Sequence, residues 1–98
     1  MLKKNYSKTG KVCRVTFKYE NREQAKKAVL AGDFNSWSTD EAPMKKLKDG
    51  SFSLTLSLPT GGTFAFRYII DGDSWVNDSG ADGYTANEFG EENSLVKV

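Results

Sequence analysis

Histidine is absent from this 98-residue chain, and cysteine occurs once, at Cys13. Without an imidazole there is no Ser-His-Asp or Cys-His catalysis, and the commonest zinc ligand is missing. A lone cysteine closes no internal disulfide, so nothing demands an oxidising compartment; its place in an apolar strand reads as a small buried hydrophobe. Charge of one sign is not in excess either, with 14 Lys plus Arg against 13 Asp plus Glu. That balance gives no electrostatic reason to expect nucleic acid or an anionic membrane as partner. No apolar run is long enough to cross a bilayer, and the basic segment Met1 to Lys8 is followed by no apolar stretch of the kind a secretory signal carries. A cytoplasmic location is the expectation. Met1 at the start and a strand at the end favour a stand-alone product.

What is present is a modest apolar fraction, 38%, arranged with a period of two. A chain of this size buries about two-thirds of its unfolded surface, enough for one core and no catalytic barrel. Residues 1–11 are polar, lysine-rich and aperiodic, and read as a flexible lead-in; 12–98 read as a single domain. Cys13, Val15, Phe17 and Tyr19 alternate with Arg14, Thr16 and Lys18, the mark of a half-buried strand. Residues 21–27 are one helical turn capped by Asn21 or a plain loop. Ala28 to Ala31 is a short second strand. Asp49-Gly50 signals a turn before Phe52, Leu54, Leu56 and Leu58, and Pro59 to Gly62 turns the chain back into Phe64, Phe66, Tyr68 and Ile70. A short strand follows around Trp75, then a long ordered loop over 78–93, then a closing strand from Ser94 to Val98. Short strands with turns between them and no long helical pattern predict an all-β, antiparallel sandwich.

The charges are segregated along the chain. Lys3, Lys4, Lys8, Lys11, Arg14 and Lys18 make the first strand region basic, whereas Asp71, Asp73, Asp78, Asp82, Glu88, Glu91 and Glu92 make the last third acidic. Two solvated faces account for this more simply than a nucleic-acid-binding arm. Asp71, Asp73 and Asp78 lie on turns of a small sandwich with no evident cleft, against the paired, opposed carboxylates that glycosidases need. Asp78, Asp82 and Gly83 do not make a calcium loop, because Gly80 stands at the third position and Phe89 at the twelfth.

Trp37 and Trp75 sit beside turns, outside the alternating runs. Sugars present flat C–H faces with polar edges, so a sugar site needs aromatic planes together with forked hydrogen-bonding groups. Arg67, on the strand face away from Phe66 and Tyr68, and Asn93 are such groups. Residue by residue, each tryptophan also reads as a packing residue and Arg67 as a surface charge.

Three ordered segments go further: Leu30-Ala31-Gly32-Asp33-Phe34-Asn35-Ser36-Trp37, Phe66-Arg67-Tyr68-Ile69-Ile70-Asp71-Gly72 and Phe89-Gly90-Glu91-Glu92-Asn93-Ser94. In this order and spacing, over about residues 12–98, the chain resembles the family 48 carbohydrate-binding modules. That family includes the glycogen-binding domain of the AMP-activated protein kinase β subunit and the N-terminal early-set domains of family 13 glycoside hydrolases such as branching enzymes and isoamylases. The resemblance implies an immunoglobulin-like (early-set) sandwich and a non-catalytic module that binds α-1,4-linked glucan (glycogen, starch or maltooligosaccharide) without metal or cofactor. It assigns sugar-stacking roles to Trp37 and Trp75, the latter after a turn one residue longer than usual. Arg67 falls where the kinase domain has lysine, Phe89 where an aliphatic residue enters the ring of a cyclic glucan, and Asn93 on a hydroxyl-binding asparagine. Glu91 departs from the threonine expected there. The alternative reading is a docking domain for an α-glucan-metabolising enzyme or a kinase-like complex, with no glucan binding of its own.

Overall fold

Alternation becomes strand pairing along β2 (Val12–Tyr19), where Cys13, Val15 and Phe17 are fully buried and Arg14 is exposed. The computed structural model describes residues 2–22 and 24–98. Among the described residues there are nine strands: β1 (Leu2–Tyr6), β2, β3 (Ala28–Gly32), β4 (Lys45–Lys46), β5 (Phe52–Pro59), β6 (Thr63–Ile70), β7 (Ser74–Val76), β8 (Gly83–Ala86) and β9 (Glu92–Lys97). They pair antiparallel in two sheets. The first runs β1-β2-β5-β4; the second runs β3-β6-β9-β8, with β7 also on β6. The sheets face each other through Phe17 of β2 and Phe66 of β6, whose rings meet edge-on at 5.0 Å, and through Tyr19 and Tyr68 at 5.4 Å. Leu30, Phe52, Leu58 and Val96 complete the apolar layer. The fold is the expected all-β, immunoglobulin-like antiparallel sandwich. Among the described residues no helix is long and apolar enough to cross a membrane.

Two local expectations change, and one open alternative is decided. Leu2–Tyr6, read as part of a flexible lead-in, form an edge strand in register with β2, from Leu2 opposite Phe17 to Tyr6 opposite Cys13. Only Leu2 and Lys4 of β1 are half-buried, so the segment shows no apolar alternation. The long loop of 78–93 contains β8, and the closing strand begins at Glu92. Residues 21–27 are a loop, of which Glu23 lies outside the described residues. Asn21 organises it in a left-handed conformation, its oxygen accepting from the Ala25 N–H at 2.7 Å and its amide donating to the Gly50 carbonyl at 2.7 Å.

One polar cluster penetrates the core. The buried Tyr68 hydroxyl donates to Asp78 at 2.6 Å, and the Asp78 N–H donates to Ser94 Oγ at 2.9 Å. Burial first, and the Asp78 carboxylate second, push the Tyr68 phenol far above its ordinary range, so it stays a donor at any working pH.

Register fixes which side chains share a surface. Ile69 stands opposite Trp75 and Val29, Arg67 opposite Ala31, Ala65 opposite Leu95, and Asn93 opposite Thr85. All of these occupy the outer face of the second sheet, away from the core.

Candidate functional site

The connection after β3 explains its own sequence. Gly32 has no space for a side chain: a Cβ there would stand 2.6 Å from the Ala65 carbonyl oxygen and 2.7 Å from Phe34 Cζ. Phe34 turns inward against Phe17 and Phe64, with centroids at 5.7 and 6.3 Å. The Asn35 side chain satisfies two backbone groups, accepting from the Gly32 N–H and donating to the Leu30 carbonyl. Ser36 and Trp37 are both left-handed, which swings the chain so that the Trp37 indole lands on the outer face. Asp33 holds it there. One carboxylate oxygen accepts from the indole N–H at 3.0 Å and the other accepts from the Ala65 N–H at 2.8 Å, tying the ring to β6.

Trp75 reaches the same face from β7. A tight turn with Asp71 and Gly72 at positive φ brings Trp75 opposite Ile69, and the two indoles then lie with centroids 6.5 Å apart and planes 30° from parallel. Trp75 is 38% exposed. A pyranose between two rings needs about 4 Å of contact distance on each side, roughly 8 Å in all. The pair is therefore one bent platform and not a slot between two rings.

Arg67 sits where β6 changes partner, between Phe66, paired with Ser94 of β9, and Tyr68, paired with Val76 of β7. Its side chain is only 11% exposed. One terminal nitrogen donates to Glu91 at 2.8 Å, the other donates to the Trp75 carbonyl at 2.8 Å, and the guanidinium lies 6.0 Å from the Trp75 ring centroid. Arg67 was expected as an open fork for sugar hydroxyls. The fork is instead engaged by the protein, joining the Trp75 strand to the turn before β9.

That turn is pre-formed. The Asn87 side-chain oxygen accepts from the N–H groups of Phe89 and Glu91, the Asn87 amide donates to the side chain of Asn93, and Gly90 takes positive φ. Phe89 is left at the tip, 80% exposed. A ring so placed contributes nothing to the core and presents its full face to whatever approaches.

The five expected residues, Trp37, Arg67, Trp75, Phe89 and Asn93, line one concave surface of about 790 Å³ together with Asp33, Ala65, Asp73, Asn87, Glu88 and Glu91. Among the described residues no cluster of three or more His, Cys, Asp or Glu side chains is suited to a metal ion. The arrangement offers apolar planes ringed by hydrogen-bonding groups, suited to a ligand with apolar faces and hydroxyl edges. Sequence reasoning missed Asp33 and Asn87, whose work is to hold Trp37 and Phe89. The Asx pattern in Asn87-Glu88-Phe89-Gly90 was the available signal for the second; the first depends on Ala65, 32 residues away.

A family model described as the glycogen recognition site of AMP-activated protein kinase matches residues 13–98. No curated protein matches the chain significantly.

Proposed function

The chain belongs to the family of glycogen recognition sites of AMP-activated protein kinase, and from that premise we propose that its outer-sheet cleft binds α-1,4-linked glucan non-catalytically, with Trp37 and Trp75 as the stacking platform. The observation that carries this assignment is the bent pair of indoles. Successive glucose units of an α-1,4 chain turn relative to one another, so the chain curves and suits planes inclined at 30°; a flat β-1,4 chain does not. Phe89 engages the inner, apolar side of a curved or cyclic glucan from the turn tip, and Asn93 serves hydroxyls. Arg67 acts through Trp75 and Glu91. A cytoplasmic setting belongs to the same reading.

The expected affinity is modest. About 100 Å² of Trp75 and somewhat less of Trp37 become covered, each contributing roughly 2 kcal/mol at about 25 cal/mol per Å². Some three to six hydrogen bonds of about 1 kcal/mol each add about 3–6 kcal/mol, and association costs about 4 kcal/mol. The balance of about 3–6 kcal/mol corresponds to dissociation constants on the order of millimolar to tens of micromolar.

Titration with maltoheptaose and β-cyclodextrin, followed by tryptophan emission and amide NMR shifts, tests the assignment. Saturable quenching with shifts centred on Trp37, Trp75 and Asn93 is expected. No saturation at about 20 mM sugar would remove the reading in favour of a protein-docking role for the same face.

A further inference from the structure

The cleft is acidic, and this sets which glucans it accepts. Asp33, Asp73, Glu88 and Glu91 line it against a single cation, Arg67. That cation is not available to an anion: its two terminal nitrogens are taken by Glu91 and the Trp75 carbonyl, and its side chain is almost wholly covered. Glu91 cancels the one positive charge, and three negative charges are left over around a neutral aromatic platform. The outward lysines and arginine of the first sheet, Lys3, Arg14, Lys18 and Lys45, stand on strands at the opposite side of the sandwich. The two ends of the sequence thus give two faces of opposite sign, and the tryptophans lie on the negative one.

We propose that the cleft discriminates by charge within the glucan class, taking neutral α-1,4-glucan and rejecting chains that carry phosphate monoesters on their glucose hydroxyls. The proposal rests on the glucan-binding reading above and narrows its substrate. A phosphate monoester carries about −1.5 to −2 charge at pH 7. Held within about 8 Å of three uncompensated carboxylates at a solvated surface, it is repelled enough to weaken binding on the order of fivefold at low ionic strength, and the repulsion fades once the Debye length falls to a few ångströms. Glu91 is the specificity-determining residue, because removing its charge both lowers the repulsion and releases Arg67 toward an anion. Glu88, on the exposed turn beside Phe89, contributes through its charge alone.

Calorimetric or NMR titration of the intact chain with maltoheptaose, and with the same oligosaccharide carrying one 6-phosphate, tests this. The readout is the ratio of the two dissociation constants within each protein, so any general loss of affinity in a variant cancels. In about 20 mM salt the native chain is expected to favour the neutral sugar about fivefold, falling below twofold in about 0.5 M salt. Glu91→Gln is expected to bring the low-salt ratio to about one or below, and Glu88→Gln to lower it about twofold. Equal or tighter binding of the phosphorylated sugar at low salt, a preference that salt does not move, or a ratio untouched by both variants overturns the proposal. Binding of neither sugar removes the glucan reading itself and this inference with it, an outcome distinct from equal binding of both.

Discussion

Gly32 is the most closely hemmed of the glycines. Its conformation is extended and open to any residue, yet a methyl group would meet backbone oxygen at 2.6 Å and an inward-facing ring at 2.7 Å. Gly32→Ala is expected to cost about 1–3 kcal/mol, visible as a melting temperature lowered by several degrees, and to weaken glucan binding because Asp33 and Trp37 follow directly. Arg67 changes character once its partners are known. Lysine at this position would reach one acceptor as a point charge, whereas the guanidinium bridges two with fixed geometry. Arg67→Lys is therefore expected to reduce both stability and binding by about 1 kcal/mol, and Arg67→Ala by about 2 kcal/mol or more, since truncation leaves Glu91 and the Trp75 carbonyl unpaired. An Arg67→Ala chain that melts normally and loses only affinity would return the residue to direct sugar contact. The pairing itself was out of reach of the sequence. Arginine for lysine at 67 and glutamate for threonine at 91 are two separate departures from the family pattern, and only the fold shows that they meet.

Strands were legible where one face is apolar and the other polar. β2 and β5 announce themselves because they lie inside sheets and alternate apolar with polar residues, β6 by its alternating large side chains Phe64, Phe66, Tyr68 and Ile70, and β3 as a short apolar run. The edges were not. β1 offers only Leu2 and the stem of Lys4 to the interior, and β8 pairs with β9 alone, burying almost nothing. Such strands exist by backbone pairing and by side-chain ties that periodicity does not reveal. The tie on β1 is Lys4, whose ammonium meets Asp82 at 2.6 Å and so links the first sheet to the segment entering β8 in the second. For Asp82 burial alone raises the carboxyl pKa, but the Lys4 hydrogen bond, the Lys97 N–H and the lysine charges outweigh it and hold the group below its ordinary value. A depressed folded-state value means stability that is present above the unfolded pKa, near 4, and lost as pH falls through the folded one. Asp82→Asn is expected to lower the melting temperature at pH 7 by a few degrees, an ion pair of this exposure contributing on the order of 0.5–1 kcal/mol. Melts from pH 7 to pH 2 check it: the gap between the two proteins closes on acidification, and a gap that is constant with pH would mean the amide perturbs packing instead.

At the scale of the molecule, the core and the candidate site occupy different surfaces of one sheet. Phe66 and Tyr68 face the partner sheet while Arg67 and Ile69, with Trp75 opposite, face outward, so a single strand serves both by its pleat. The three ordered motifs in the sequence already contain four of the candidate residues, with Trp75 just beyond the second; what they could not give was the acid rim, drawn from three separate turns, or the spacing of the two indoles. The separation of surfaces has a thermodynamic consequence. A ligand that binds only the folded chain stabilises it by RT ln(1 + [L]/Kd), so maltoheptaose at about tenfold over a sub-millimolar Kd contributes about 1.4 kcal/mol, which for a domain of this size raises the melting temperature by about 5–8 °C. Trp75→Ala removes a ring that is 38% exposed and outside the sandwich interior. Its own melting temperature is expected to fall by no more than a few degrees, while the sugar-induced rise disappears, since losing about 2 kcal/mol of stacking carries the Kd above the sugar concentration. A cellooligosaccharide of the same length is expected to shift neither protein. If Trp75→Ala instead melts far below the native chain, the indole is a packing residue; if it melts normally and still gains stability from maltoheptaose, the sugar binds elsewhere. Only a preserved melt together with a lost sugar response locates the glucan on the outer face of the second sheet.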